Sequence, residues 1–253
     1  MTKHLFILTG ASRGMGLAMA QQLLGADHWV LCIARQTHPA LSQQAEQQGF
    51  KLDQWPLDLQ HGVAVAAQLA QWLGQQVPAN FASATLINNA GVMPHIAPVS
   101  NTEATDLVRS LRVNLEAPML LTGAFLQATQ GWYLPRKVLT ISSGLGRRAM
   151  ASQAPYCAAK AGLDHFTRCL ALEEALKPQG AQVCSLAPGV IDTDMQIQLR
   201  GANAADFPDQ QGFIDLQRKG QLASPADAAA RVLAYLARPD FGSNPVDDVR
   251  DQV

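Results

Sequence analysis

Residues 4–24 carry three patterns in a row that together leave few folds open. His4-Leu5-Phe6-Ile7-Leu8 is a short apolar run, the signature of a buried parallel strand. Thr9-Gly10-Ala11-Ser12-Arg13-Gly14-Met15-Gly16 follows, and then Leu17, Ala18, Ala20, Leu23 and Leu24 recur at helical spacing. A strand therefore meets a glycine-rich turn and then a helix. Gly10 permits the sharp turn, Gly14 lets backbone approach a pyrophosphate, and Gly16 lets the helix pack closely on the strand. Backbone N–H groups at the helix start would hold phosphates, with Ser12, Arg13 and Met15 in the same loop. The spacing is Gly-x-x-x-Gly-x-Gly rather than Gly-x-Gly-x-x-Gly, and a glycine loop alone also reads as an ordinary turn. Its place between strand and helix favours a nucleotide site.

The next strand, Trp29 to Ala34, ends in Arg35. An acidic residue at this tip would bind the ribose hydroxyls of NAD. Here Arg35 and Arg13 supply two guanidinium groups that can embrace the 2′-phosphate of NADP, so NADP(H) is the expected cofactor. Asp58, after Trp55-Pro56-Leu57, ends a third strand; it accepts a bond from the adenine amino group or caps the following helix.

Strand and helix patterns continue to alternate. Helices are expected near Ala40–Gln48, Val63–Leu73, Thr102–Gln127 with a bend at Pro118, Ala154–Leu176 and Ala226–Leu236. Strands are expected at Thr85–Ile87, Val138–Ser142 and Gln182–Leu186. This alternation implies an α/β fold, a Rossmann-like doubly wound parallel sheet in three αβα layers. The 253 residues, 48% hydrophobic, suffice for one domain over 1–253 with both sheet faces buried. A net charge of −1 excludes the basic excess that nucleic-acid binding needs. No apolar stretch reaches the roughly 20 residues that span a bilayer, and Met1-Thr2-Lys3 leaves no room for a signal peptide. Cys32, Cys157, Cys169 and Cys184 form no metal-like pairing, so no metal is expected. Nothing calls for an oxidising compartment, and the expected location is the cytoplasm.

The chemistry rests on Ser143, Tyr156 and Lys160. Tyr156 and Lys160 are four apart, which places them one turn apart on one helix face. An ammonium beside a phenol favours the phenolate, so the tyrosine pKa is expected to fall. Ser143 follows Val138-Leu139-Thr140-Ile141 at a strand tip, where its hydroxyl can hold a carbonyl oxygen while Tyr156 protonates it. The pair alone also reads as a solvated helix face; with the nucleotide loop it points to hydride transfer at a carbonyl or alcohol.

Taken together, the residues resemble the short-chain dehydrogenase/reductase family along most of the chain. The matches are Thr9–Gly16, Asp58, Asn88-Asn89-Ala90-Gly91, Asn114, Ser143, Tyr156, Lys160, Pro188-Gly189 and Thr193. The resemblance implies that Asn89 lies near the cofactor. It also implies that Asn114 kinks its helix and holds a proton-relay water, that Lys160 grips the nicotinamide ribose, and that Pro188, Gly189 and Thr193 border the nicotinamide. Ala187 to Gln196 and Phe241 to Asp247 look like the sepiapterin reductase and benzil reductase branch, in which the residue matching Asp247 would anchor the substrate. The implied function is NADPH-dependent reduction of a small ketone or diketone. Alternatives are a 3-oxoacyl thioester reductase, a secondary alcohol dehydrogenase and a non-catalytic dinucleotide sensor.

Residues 193–220 are polar and glutamine-rich and are expected to form a lid of short helices over a small-molecule carbonyl substrate. Leu145, Met150, Met195, Leu199 and Phe213 line an apolar pocket or pack the lid. The resemblance also implies a homodimer, with a homotetramer as the alternative, through the helices of Thr102–Gln127 and Ala154–Leu176.

Overall fold

The structure is a computed structural model describing residues 2–251; Met1, Gln252 and Val253, at the ends of the expected 1–253 domain, lie outside the described residues. Its first half alternates β1 (Lys3–Thr9), α1 (Gly14–Leu23), β2 (His28–Ala34), α2 (Pro39–Gln48), β3 (Lys51–Pro56), α3 (Gly62–Gly74) and β4 (Phe81–Asn88). Then come α4 (Ala104–Leu111), α5 (Ala117–Ala128), β5 (Arg136–Ile141), α6 (Ala154–Ala175) and β6 (Gln182–Ala187). The last elements are α7 (Asp194–Arg200), α8 (Gln210–Arg218), α9 (Pro225–Ala237) and β7 (Val246–Asp248).

The seven strands form one sheet in the order β3-β2-β1-β4-β5-β6-β7, and every pair is parallel. The chain winds outward from β1 to β3, crosses back to β4, and winds outward again to β7. The order therefore reverses between β1 and β4, which opens a crevice at their carboxyl ends. Side chains alternate across the sheet. Leu5, Ile7, Leu31 and Ile33 pack on one face with Leu69, Leu121, Phe125 and Leu170 of α3, α5 and α6. Leu8, Val30 and Cys32 pack on the other with Met19, Leu41 and Val232 of α1, α2 and α9. Burial on both faces explains why these strands read as continuous apolar runs.

One expectation needs correction. The long helix expected from Thr102 does not simply bend at Pro118. It changes to a wider π turn over Arg112–Glu116, between α4 and α5. Pro118 has no N–H to give to the carbonyl of Asn114 four residues earlier, which is a cause of such widening. The chain from Val246 adds an element that the pattern did not predict. Val246, Asp247 and Asp248 pair with Ser185, Leu186 and Ala187 as a seventh strand.

Candidate active site

The ends of β1 and β4 are fastened together. Thr9 Oγ1 accepts from the backbone N–H groups of Asn89 and Ala90, both at 3.0 Å. Asn89 Nδ2 donates to the carbonyls of Thr9 at 2.9 Å and Gly10 at 3.3 Å. Gly10 has φ +73°, and a Cβ on it would lie 2.8 Å from Cα of Ala90. A Cβ on Gly16 would lie 2.1 Å from the carbonyl oxygen of Gly10. Both positions therefore need glycine. Gly14 differs: its missing Cβ faces the cleft, with Cγ2 of Thr193 the nearest atom at 3.5 Å. Helix α1 begins with neither a side-chain cap nor an acidic residue in its first turn. Its leading N–H groups thus lack an acidic or capping partner, which suits a phosphate. On this evidence the cradle fits a dinucleotide.

A cleft of about 610 Å³ runs from this loop across the strand ends. Gly10, Ser12, Arg13, Gly14, Met15, Gly16, Arg35, Asp58, Asn89, Pro188, Gly189 and Thr193 all line it, together with Ser143, Tyr156 and Lys160. Asp58 also caps a short turn, its Oδ1 accepting from the N–H of Gln60 at 2.9 Å. Arg35 is exposed on the wall. Arg13 meets Asp194, the first residue of α7, at 2.8 Å. That pair ties the glycine loop to the segment expected to cover the site, and sequence reasoning did not anticipate it.

Tyr156 and Lys160 share one face of α6 and are both buried. A side-chain hydrogen bond joins Ser143 to Tyr156. Burial pushes the Tyr156 phenol up to about 12, against the opposing pull of that bond. The expected fall in the tyrosine pKa is thus reversed, because loss of hydration penalises the phenolate more than its neighbours favour it. Burial lowers Lys160 to about 8, with Asp164 opposing. Lys160 Nζ donates to the carbonyl of Ile141 and stands 5.7 Å from the centre of the Tyr156 ring.

One turn beyond Lys160, Asp164 is a buried hub. Its Oδ1 accepts from the hydroxyls of Ser142 at 2.5 Å and Ser185 at 2.7 Å. Its Oδ2 accepts from Arg147 Nε at 3.3 Å. Gly146 fits against it closely, since a Cβ there would lie 2.9 Å from Oδ2.

Asn114 lies in the π turn, fully buried behind the cleft rather than on its wall. Its Oδ1 accepts from the N–H of Val92 at 2.9 Å, and its Nδ2 donates to the carbonyl of Val92 at 2.8 Å. It thereby holds the strand leaving Gly91. Asp247 departs from expectation. Its Oδ2 accepts from the hydroxyl of Tyr235 at 2.7 Å and its Oδ1 from the N–H of Asp248 at 2.8 Å, and it does not line the cleft. Strand pairing of β7 turns this side chain into the protein. Arg250, which is absent from the expected site residues, lines the cleft instead, as does Arg148. No motif could have singled out Arg250, because strand pairing sets the direction of the tail.

Leu145, Met150, Met195, Leu199 and Phe213 all join one apolar cluster with Met93, Ile96, Tyr156 and Phe207. Of the five, only Met150 does not line the cleft. Among the described residues no group of acidic, cysteine and histidine side chains can hold a metal ion, and no helix is long and apolar enough to cross a membrane.

Comparison with known proteins agrees with this geometry. The family model for short chain dehydrogenases matches residues 4–204. A benzil reductase of Bacillus cereus that forms (S)-benzoin is 35% identical over 93% of this chain and 94% of its own length. The sepiapterin reductase of Bos taurus is 31% identical, over 99% of this chain and 96% of its own. The crystal structure of a putative 2-deoxy-d-gluconate 3-dehydrogenase from Agrobacterium tumefaciens, with bound NADP, superposes with a TM-score of 0.79 at 25% identity. That superposition covers 98% of this chain and 95% of the other. Sequence and fold thus agree that the chain is an oxidoreductase belonging to the short-chain dehydrogenase/reductase family.

Proposed function

We propose that the protein is an NADPH-dependent carbonyl reductase acting on small ketones or diketones of the benzil or sepiapterin kind. The observation that carries this reading is the convergence of Ser143, Tyr156 and Lys160 on one cleft that Arg13 and Arg35 also line. The similarity to a benzil reductase and a sepiapterin reductase supports the substrate class, and the NADP-bound neighbour supports the cofactor.

NADPH, when bound, supplies the hydride that the carbonyl carbon receives. Ser143 and Tyr156 donate hydrogen bonds to the carbonyl oxygen, and Tyr156 gives its proton to the alkoxide as it forms. A phenol that burial keeps protonated is in the state this step needs. Lys160, charged below about pH 8, stabilises the tyrosinate left behind and holds the nicotinamide ribose. Asn114 belongs to the path that returns a proton to Lys160. Gly10, Ser12, Gly14 and Met15 hold the pyrophosphate through backbone and hydroxyl donors. Arg13 and Arg35 hold the 2′-phosphate, and the helices of residues 193–220 close over the substrate. The exposed Val108, Met119 and Leu172 on α4, α5 and α6 support a homodimer through those helices.

The test is NADPH oxidation over sepiapterin, benzil, other vicinal diketones and an acetoacetyl thioester, with NADH in parallel. Turnover of pterin or diketone with NADPH alone is expected. Turnover of the thioester alone, or preference for NADH, would replace this reading by a different reductase of the family.

A further inference from the structure

We infer that Arg250 is a specificity-determining residue, holding a second oxygen of the substrate beside the reacting carbonyl; the inference deepens the carbonyl-reductase reading and rests on it. Its side chain runs along the end of the cleft that holds Ser143. A Cβ built on Gly189 would lie 3.8 Å from Cδ of Arg250, and one built on Gly144 would lie 3.9 Å from its Nη2. The stem thus passes Gly189, and the guanidinium reaches the residue after Ser143.

The guanidinium is held in place. Nε donates to Oδ1 of Asp248 at 2.9 Å, and Nη2 donates to Oδ2 at 2.7 Å. Asp248 is itself buried and paired into β7. This bidentate contact occupies one edge of the planar fork and fixes its plane. Nη1 bonds no described residue, so its N–H groups are left for a ligand that need not order the side chain. Arg148 lines the same cleft and makes no ion pair among the described residues.

The polarity of this wall is opposite to the one an anchoring Asp247 would give. That carboxylate is turned inward onto Tyr235. The tail therefore offers the substrate N–H donors, and the group that matches donors is an acceptor: a carbonyl or carboxylate oxygen. A vicinal dicarbonyl carries such an oxygen one carbon from the reacting centre. The rest of an aryl or alkyl substrate would lie against Leu145, Met195 and Phe213. Among the described residues the tail lines the cleft with no carboxylate to grip a ring through its own N–H groups.

The experiment compares benzil with deoxybenzoin, which keeps both phenyl rings and lacks one carbonyl. The ratio of kcat/KM for the two is measured in the native enzyme, Arg250→Met and Arg250→Lys. Loss of a charged hydrogen bond predicts that the ratio falls roughly tenfold or more in Arg250→Met, with Arg250→Lys intermediate. Thermal melting and NADPH affinity of each variant report whether the tail still packs, and Arg250→Lys carries the test if Arg250→Met does not fold. An unchanged ratio, an equal loss on both ketones, or a loss confined to NADPH affinity would overturn the inference. Failure of the native enzyme to reduce either ketone would overturn the carbonyl-reductase reading itself, and that result precedes any substitution.

Discussion

Lys160 donates a hydrogen bond from Nζ to the carbonyl oxygen of Ile141 at 2.7 Å, which ties the ammonium to the last residue of β5. Ser143 lies two residues beyond that carbonyl, so one strand end positions both the hydroxyl and the ammonium against Tyr156. Burial lowers Lys160 to about 8, while Tyr156 is pushed up to about 12. The kcat/KM for reduction should therefore be level near neutrality and fall as pH rises through about 8, when Lys160 loses its charge. A profile that stays level up to the tyrosine range would refute this assignment.

The same two groups set opposite slopes in stability. Between about 8 and 10.5 the unfolded chain holds the Lys160 proton that the folded chain has released, so this lysine makes folding more favourable as pH rises. Between 10.0 and about 12 the folded chain keeps the Tyr156 proton that the unfolded chain loses, so stability falls again. Denaturant midpoints of Lys160→Met should lack the first rise, and those of Tyr156→Phe the later fall.

Tyr156→Phe keeps the ring in its apolar cluster and removes only the acid. Its kcat/KM should drop by roughly 10²- to 10⁴-fold, the usual worth of a positioned general acid, with NADPH affinity close to native by fluorescence titration. A variant as active as the native enzyme would end the case for this tyrosine.

Much of this arrangement was legible in the sequence because it depends on local pattern. The apolar run into Thr9, the glycines at 10, 14 and 16, and the four-residue step from Tyr156 to Lys160 fix strand, turn and helix face without distant partners. What was illegible depends on tertiary context. Strand β7 has three residues, two of them aspartates, and exists only because β6 offers it an edge. That pairing sends Asp247 inward and Arg250 into the cleft. The rise in the Tyr156 pKa likewise comes from burial, which the spacing of two residues does not encode. The π turn at 112–116 was half legible: Pro118 marked a disturbance, but its form depends on Asn114 reaching Val92.

Arg35 stands exposed on the cleft wall, where a charged hydrogen bond to a 2′-phosphate would be worth about 1.5–3 kcal/mol. Arg35→Ala should raise the KM for NADPH about tenfold or more and leave that for NADH nearly unchanged. Equal effects on the two cofactors would assign Arg35 to general phosphate attraction.

Asp164→Ala removes the shared acceptor of Ser142, Ser185 and Arg147 from a buried site. Breaking such a buried charged network costs about 3–5 kcal/mol, and chemical denaturation should show a loss of that order. Asp164→Asn, which keeps an acceptor oxygen, should lose less.

Gly16→Ala forces a carbon toward a backbone oxygen 2.1 Å away, so the glycine turn must open. NADPH binding by calorimetry should be lost or greatly weakened, whereas Gly49→Ala, with nothing within 4 Å but φ +66°, should cost only the strain of a left-handed residue at the end of α2 and leave NADPH binding near native.

The Asp164 hub also bears on how such an enzyme can change over generations. It locks α6 to Ser142 and Ser185 at β5 and β6 and, through Arg147, to the backbone of Asp247 in β7, while α7 and α8 make none of these bonds. Substitutions in α7 and α8 can therefore accumulate while Tyr156 and Lys160 stay in register with the strand tips. The outer helices are thus the part of the chain where inherited change disturbs this register least.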